Sequence, residues 1–105
     1  MTPKILFGGV AGTNEGDIGS AVGEGKYWVV SAVWISNSDE VGRWVTLKHY
    51  VDGSTTYTLL SKVWVEAQTT IIIGPMVLSA GEKIRALAEV ASKLTIVGYG
   101  LEGTA

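Results

Sequence analysis

The sequence predicts an all-β chain, a β-sandwich or jelly roll of about seven to eight antiparallel strands. Three observations predict it. From Lys26 onward apolar residues recur at alternate positions, the spacing that puts them on one side of a strand. Turn signals at Asp52-Gly53, Gly74-Pro75 and Ser79-Ala80-Gly81 punctuate those runs. No stretch sustains helical periodicity with caps at its ends. At 105 residues the chain has the size of one domain.

The first part reads differently. Seven of the 14 glycines fall between Gly8 and Gly25, so residues 1–25 are expected to form a glycine-rich arm or loop ahead of a sandwich domain over 26–105. Within the arm, Lys4–Val10 reads as a short strand and Ala11–Gly25 as a flexible loop, because glycine loses the most entropy on ordering. Next, KYWVVSAVWIS alternates Tyr27, Val29, Val33 and Ile35 against Trp28, Val30, Ala32 and Trp34. Both faces are apolar, which suits a strand buried on both sides or one that meets a partner.

RWVTLKHYV and STTYTLLSKVWVE then flank Asp52-Gly53 as a hairpin. A three-residue loop of Val51, Asp52 and Gly53 with a glycine bulge pairs Val45 with Leu59 and Leu47 with Tyr57, a cleaner apolar face than a two-residue turn provides. QTTIIIG and MVL follow. EKIRALAEV contains good helix formers, but Ile84, Ala86, Ala88 and Val90 alternate with Lys83, Arg85 and Glu89, and the turn before it suits a strand. SKLTIVGYGLE closes the pattern, with Leu94, Ile96 and Gly98 opposite in parity to Thr95, Val97 and Tyr99.

Composition narrows the function. Ten acidic and eight basic residues give a net charge of −2, which argues against a nucleic-acid binder that neutralises phosphates. Charged residues are 17% of the chain, where about 25% is usual. With four Trp and four Tyr beside them, so few charges coat a monomer poorly, and a homo-oligomer is expected. With no cysteine there is no disulfide, thiolate metal cluster or thiol nucleophile. The apolar run at the start is too short for a signal-peptide core or a membrane span, so no membrane partner is expected and synthesis is placed in the cytoplasm.

Chemistry-bearing motifs are thin. Ser20–Tyr27 approaches a phosphate loop, yet Ser20 replaces its first glycine and Tyr27 its metal-binding hydroxyl. Gly98-Tyr99-Gly100-Leu101-Glu102-Gly103 spells a dinucleotide fingerprint, but with no helix after it and no downstream acid. His49 is the single histidine and reads as a half-exposed structural residue. Asn14, Glu15 and Asp17 offer oxygens that suit calcium in kind but not in spacing, and Asp39-Glu40 reads as a turn pair. No catalytic residue, cofactor or metal is therefore expected. Trp44 and Trp64 lie opposite Val45 and Val63, positions from which they can stack on a sugar or anchor an interface, the core being the alternative.

The order VVSAVWISNSDEVGRWVTL, hairpin, GPMVLSAGEKIRALAEVASKLTIVGYGLE resembles a family of small tailed-bacteriophage virion proteins. The features carrying the resemblance are Asn37 after an apolar strand, Val45-Thr46-Leu47, the turn from Leu78 to Glu82, and Gly100 with Glu102. The resemblance covers about residues 26–102. It implies a non-catalytic β-sandwich present in many copies on the virion, with the major capsid protein or other virion proteins as partners; the threefold positions of a capsid make the expected homo-oligomer a trimer. A capsid cement or decoration protein leads, ahead of a tail, baseplate or fibre component; a small sugar-binding sandwich is the rival of a different class. The candidate interface residues are Leu6, Phe7, Trp28, Trp34, Trp44 and Trp64. Thr2–Gly25 is expected to dock the protein onto its neighbours, with Leu6 and Phe7 as anchors; the alternative makes Lys4–Val10 the first strand of the sandwich.

Overall fold

Strands and turns follow the predicted order in the computed structural model, which describes residues 3–105. Nine strands run through them: β1 (Lys4–Val10), β2 (Gly16–Ile18), β3 (Lys26–Asn37), β4 (Arg43–Asp52), β5 (Thr55–Val65), β6 (Thr70–Ile73), β7 (Met76–Ser79), β8 (Lys83–Ala88) and β9 (Leu94–Thr104). They build two antiparallel sheets. One has the order β1-β9-β3-β6, with β7 continuing β6 along the same side of β3; the other has the order β2-β8-β4-β5. The all-β expectation holds, and the helix-prone EKIRALAEV forms a strand over Lys83–Ala88 with Ile84, Ala86 and Ala88 inward, while Val90, expected to continue the pattern, lies beyond the strand.

Between the sheets lie Leu6, Phe7, Trp28, Val30, Val33, Ile35, Leu78, Leu94 and Ile96 from the first, and Ile18, Val45, Leu47, Ile84, Ala86 and Ala88 from the second. Each fully buried Val, Leu or Ile contributes about 1.5–3 kcal/mol, so this layer is the main source of stability. The aromatic pair Phe7–Trp28 stacks at 6.0 Å within it.

Residues 3–25 join the sandwich through β1, β2 and a few buried side chains, unlike the expected arm or loop; Met1 and Thr2, the start of the expected docking segment, lie outside the described residues. β1 pairs with β9 from Lys4↔Gly100 to Val10↔Thr95, and β2 pairs with β8. Leu6, Phe7, Ala11, Ile18 and Val22 are buried. Backbone bonds fix the glycine-rich connections: Ala11 N–H to the Leu94 carbonyl, Ala88 N–H to that of Gly12, and a reciprocal pair joining Val22 to Gly81 and Glu82. Ordering glycine is entropically unfavourable, but each of these bonds and buried side chains offsets it. At Gly19, with φ +76°, a side chain would also press on Phe7.

Two registers differ from simple alternation. A bulge at Ser31 breaks the parity of β3: Val30 faces Gly100 while Ala32 faces Tyr99. Trp28 and Val30 therefore point inward before the bulge, and Val33, Ile35 and Asn37 after it. In the β4–β5 hairpin Asp52 pairs with Thr55 across a two-residue Gly53-Ser54 turn, which the Asp52 carboxylate caps by accepting from the Ser54 N–H and hydroxyl. Three irregularities then bring Leu47 opposite Leu60 and Val45 opposite Val63, correcting the expected Leu59 and Tyr57 partners. One of them sits at Lys62, in the left-handed region (φ 47°), whose N–H donates to the buried Thr46 hydroxyl at 3.0 Å.

Candidate functional site

The sandwich presents two outer faces of opposite chemistry. On the β2-β8-β4-β5 sheet, Lys48 stands opposite Arg85, Arg85 opposite Asp17, and Tyr50 opposite Lys83. These neighbours pair: Lys48 with Glu15 at 2.6 Å, Lys83 with Asp17 at 2.9 Å, and Arg85 with Asp17 at 2.8 Å and Glu15 at 3.5 Å. Tyr50 lies beneath both cations, 4.3 Å from the Arg85 guanidinium and 4.9 Å from the Lys83 ammonium. The acidic groups that the sequence offers to calcium are thus taken up by lysine and arginine. No group of metal-ligating side chains occurs among the described residues.

Hydrogen bonds from Lys83 and then Arg85 hold the Asp17 carboxyl below its ordinary value, and one from Lys48 does so for Glu15. Both groups bind protons more weakly in the folded chain than in the unfolded one. Their contribution to stability is therefore present above the ordinary values of 3.8 and 4.5 and is lost as pH falls through the lower, folded-state values. Solvent screens these side chains, so the effect is modest. Thermal melts across acidic pH are expected to show the midpoint dropping below pH 4.5. The double variant Glu15→Gln/Asp17→Asn should flatten that drop, and an unchanged profile would remove this cluster from the acid response.

The β1-β9-β3-β6/β7 sheet is unlike it. Lys4, Lys26 and Glu102 are the charged residues in its five strands, and all three lie at one end. There Glu102 accepts from the Trp28 indole at 2.9 Å and from Lys4 at 3.3 Å, in that order the causes that lower its pKa. At the other end Ser36 stands between Thr95 and Thr70 as a polar row, and between the two ends the outward side is mainly apolar. Trp34 stands between Val97 and Ile72, Val29 between Leu101 and Val77, and Ile5 opposite Tyr99. Trp34 meets Tyr99 edge to face at 5.6 Å.

The expected interface residues divide between surface and core. Leu6, Phe7 and Trp28 are buried between the sheets, unlike the interface position expected of all three and the anchor role expected of Leu6 and Phe7. Trp34 is 44% exposed at the centre of the apolar face. Trp64 is 54% exposed on the other sheet, opposite Trp44, with one side of its indole lying against Gly42; Trp44 is half-buried with Lys62 over its ring. Ile5, Val29, Ile72, Val77 and Tyr99 were not among the expected interface residues. Their signal is the charge-free composition of β6, β7 and most of β9, which becomes visible as one surface only when the strand order is known.

His49 lies within 2.6 Å of Glu82, more enclosed than the half-exposed position expected. The glycines of the apparent dinucleotide fingerprint serve close packing. A side chain at Gly98 would overlap Phe7, one at Gly100 the Val29 carbonyl, and one at Gly103 the Tyr27 ring. No pocket is found among the described residues, and no helix is long and apolar enough to cross a membrane. Compared with family models, with curated proteins and with solved structures, the chain matches none.

Proposed function

We propose that the chain is a structural protein of a tailed-bacteriophage virion, a cement or decoration protein that binds the major capsid shell and stabilises it. The single observation that carries this reading is the apolar face, a broad surface suited to assembly. The residues of the family resemblance support it, because they hold the sandwich together at defined points. Asn37 locks the β3–β4 corner, and Glu102 ties β9 to Trp28 and Lys4. The opposite face, with its cations and carboxylates paired within the chain, is suited to facing water.

Immunogold electron microscopy of particles from the phage that encodes the chain tests the reading. Label distributed over the capsid is the expected result. Label confined to the tail or baseplate would assign the same sandwich to that part of the virion, and unlabelled particles would refute a virion role. The exposed side of Trp64 favours one second reading, a sugar-binding module. Glycan-array binding that Trp64→Ala abolishes would establish it in place of the virion role.

A further inference from the structure

We propose that the outer face of the β1-β9-β3-β6/β7 sheet is a self-association surface, covered in solution by the same face of a second copy of the chain. The proposal deepens the assembly reading above by naming the surface and its occupant.

Area is the first support. Ile5, Val29, Trp34, Ile72, Val77 and Tyr99 are each 37–61% exposed. Together they present on the order of 600 Å² of apolar surface, at the top of the range for a monomer's largest patch and close to what one partner contributes to a standard interface. The accessible surface of the whole chain, 5546 Å², is close to the ~5,700 Å² that scaling gives for a folded monomer of this mass. The exposed groups are therefore a face of a well-packed sandwich and not the sign of an open core.

Charge is the second. When a face meets its own copy, groups of the same kind are brought together. The opposite face would set Lys83, Arg85 and Lys48 against their own kind, which is unfavourable. The apolar face carries no such conflict, because Lys4, Lys26 and Glu102 stand in register with the inward Trp28 and Val30, and the outward rows of Val29, Trp34 and Tyr99 hold no charge.

The edges are the third. β2 is three residues long, β6 and β7 are separated by Gly74-Pro75, β5 is distorted at Lys62, and β1 is irregular between Ile5 and Phe7. Short, broken or bulged edges resist strand-to-strand pairing, so association through the face is favoured over extension of a sheet. Trp34, held by Tyr99, supplies the rigid central aromatic on which such interfaces concentrate their energy.

Size-exclusion chromatography with light scattering at micromolar concentration tests this on the full chain. The wild type is expected at twice 11.1 kDa, because a face that meets its own copy closes at two chains. Trp34→Glu and Ile72→Lys should each run at 11.1 kDa while keeping β-type circular dichroism and a cooperative melt, since both side chains point outward. Tyr57→Glu, exposed on the other sheet, should keep the wild-type mass. A wild type that stays monomeric, or folded Trp34→Glu and Ile72→Lys variants that both keep the oligomeric mass, would overturn the proposal. Particle labelling is read separately. A chain that labels particles but stays monomeric retains the virion role and loses self-association; loss of labelling on Trp34→Glu would then give the face to a virion partner.

Discussion

Asn37→Ala is expected to lower folding stability by about 2–4 kcal/mol, a large effect for an uncharged polar residue. The side chain is buried at the end of β3, where its amide donates to the carbonyls of Val41 and Val65 at 3.0 Å and of Glu66 at 3.3 Å. Its oxygen accepts the Asp39 N–H at 2.9 Å. One residue thus joins the β3–β4 turn to the end of β5, and alanine leaves carbonyl oxygens without donors where water has little access. Asn37→Asp should be at least as damaging at neutral pH, since it sets carboxylate oxygens against carbonyls. Guanidinium unfolding measures the loss, with a thermal midpoint lowered by roughly 10–25 °C. A change under about 0.5 kcal/mol, the range of ordinary surface substitutions, would show that this corner does not depend on Asn37.

Gly100→Ala is expected to be more severe, above about 4 kcal/mol or enough to prevent folding. A Cβ there overlaps the Val29 carbonyl and crowds the Ser31 backbone nitrogen, and neither can swing away as a side-chain tip does. β9 is paired on both sides, to β1 and β3, so it cannot shift without breaking a ladder. Gly53→Ala is the control: nothing lies within 4 Å of its Cβ position, and its effect should stay within about 0.5 kcal/mol. Soluble yield and far-ultraviolet circular dichroism distinguish the two. A folded Gly100→Ala chain of near wild-type stability would mean that the sheet yields at this point.

The alternation rules succeed where strands are regular and fail at particular irregularities. β8 is legible because Ile84, Ala86 and Ala88 alternate without interruption against Lys83, Arg85 and Leu87. β3 is legible as a strand but not in its faces. Strict parity places Trp28 and Trp34 together, whereas the bulge at Ser31 sends one into the core and the other to the surface. That single extra residue accounts for half of the misreading of the candidate site. The other half comes from glycine, whose abundance through Gly25 signals looseness although the segment's few apolar groups are what the core requires. The hairpin register was out of reach of pattern alone, because a positive-φ lysine is not a residue type that announces a bulge.

The position of β9 also sets the order in which the sandwich can be completed. β1 is made first, yet its ladder partner is made after every other strand, with Lys4 opposite Gly100. β3 likewise waits for residues 94–104 along its whole length. Such distant pairings have high contact order and place folding in the slow, milliseconds-to-seconds class of all-β domains. During synthesis β1 and β3 lack their shared ladder partner until residues 94–104 have been made, an interval in which crowded nascent chains can pair wrongly. Abundant expression should therefore be sensitive to temperature and to chaperone supply through the timing of a single strand.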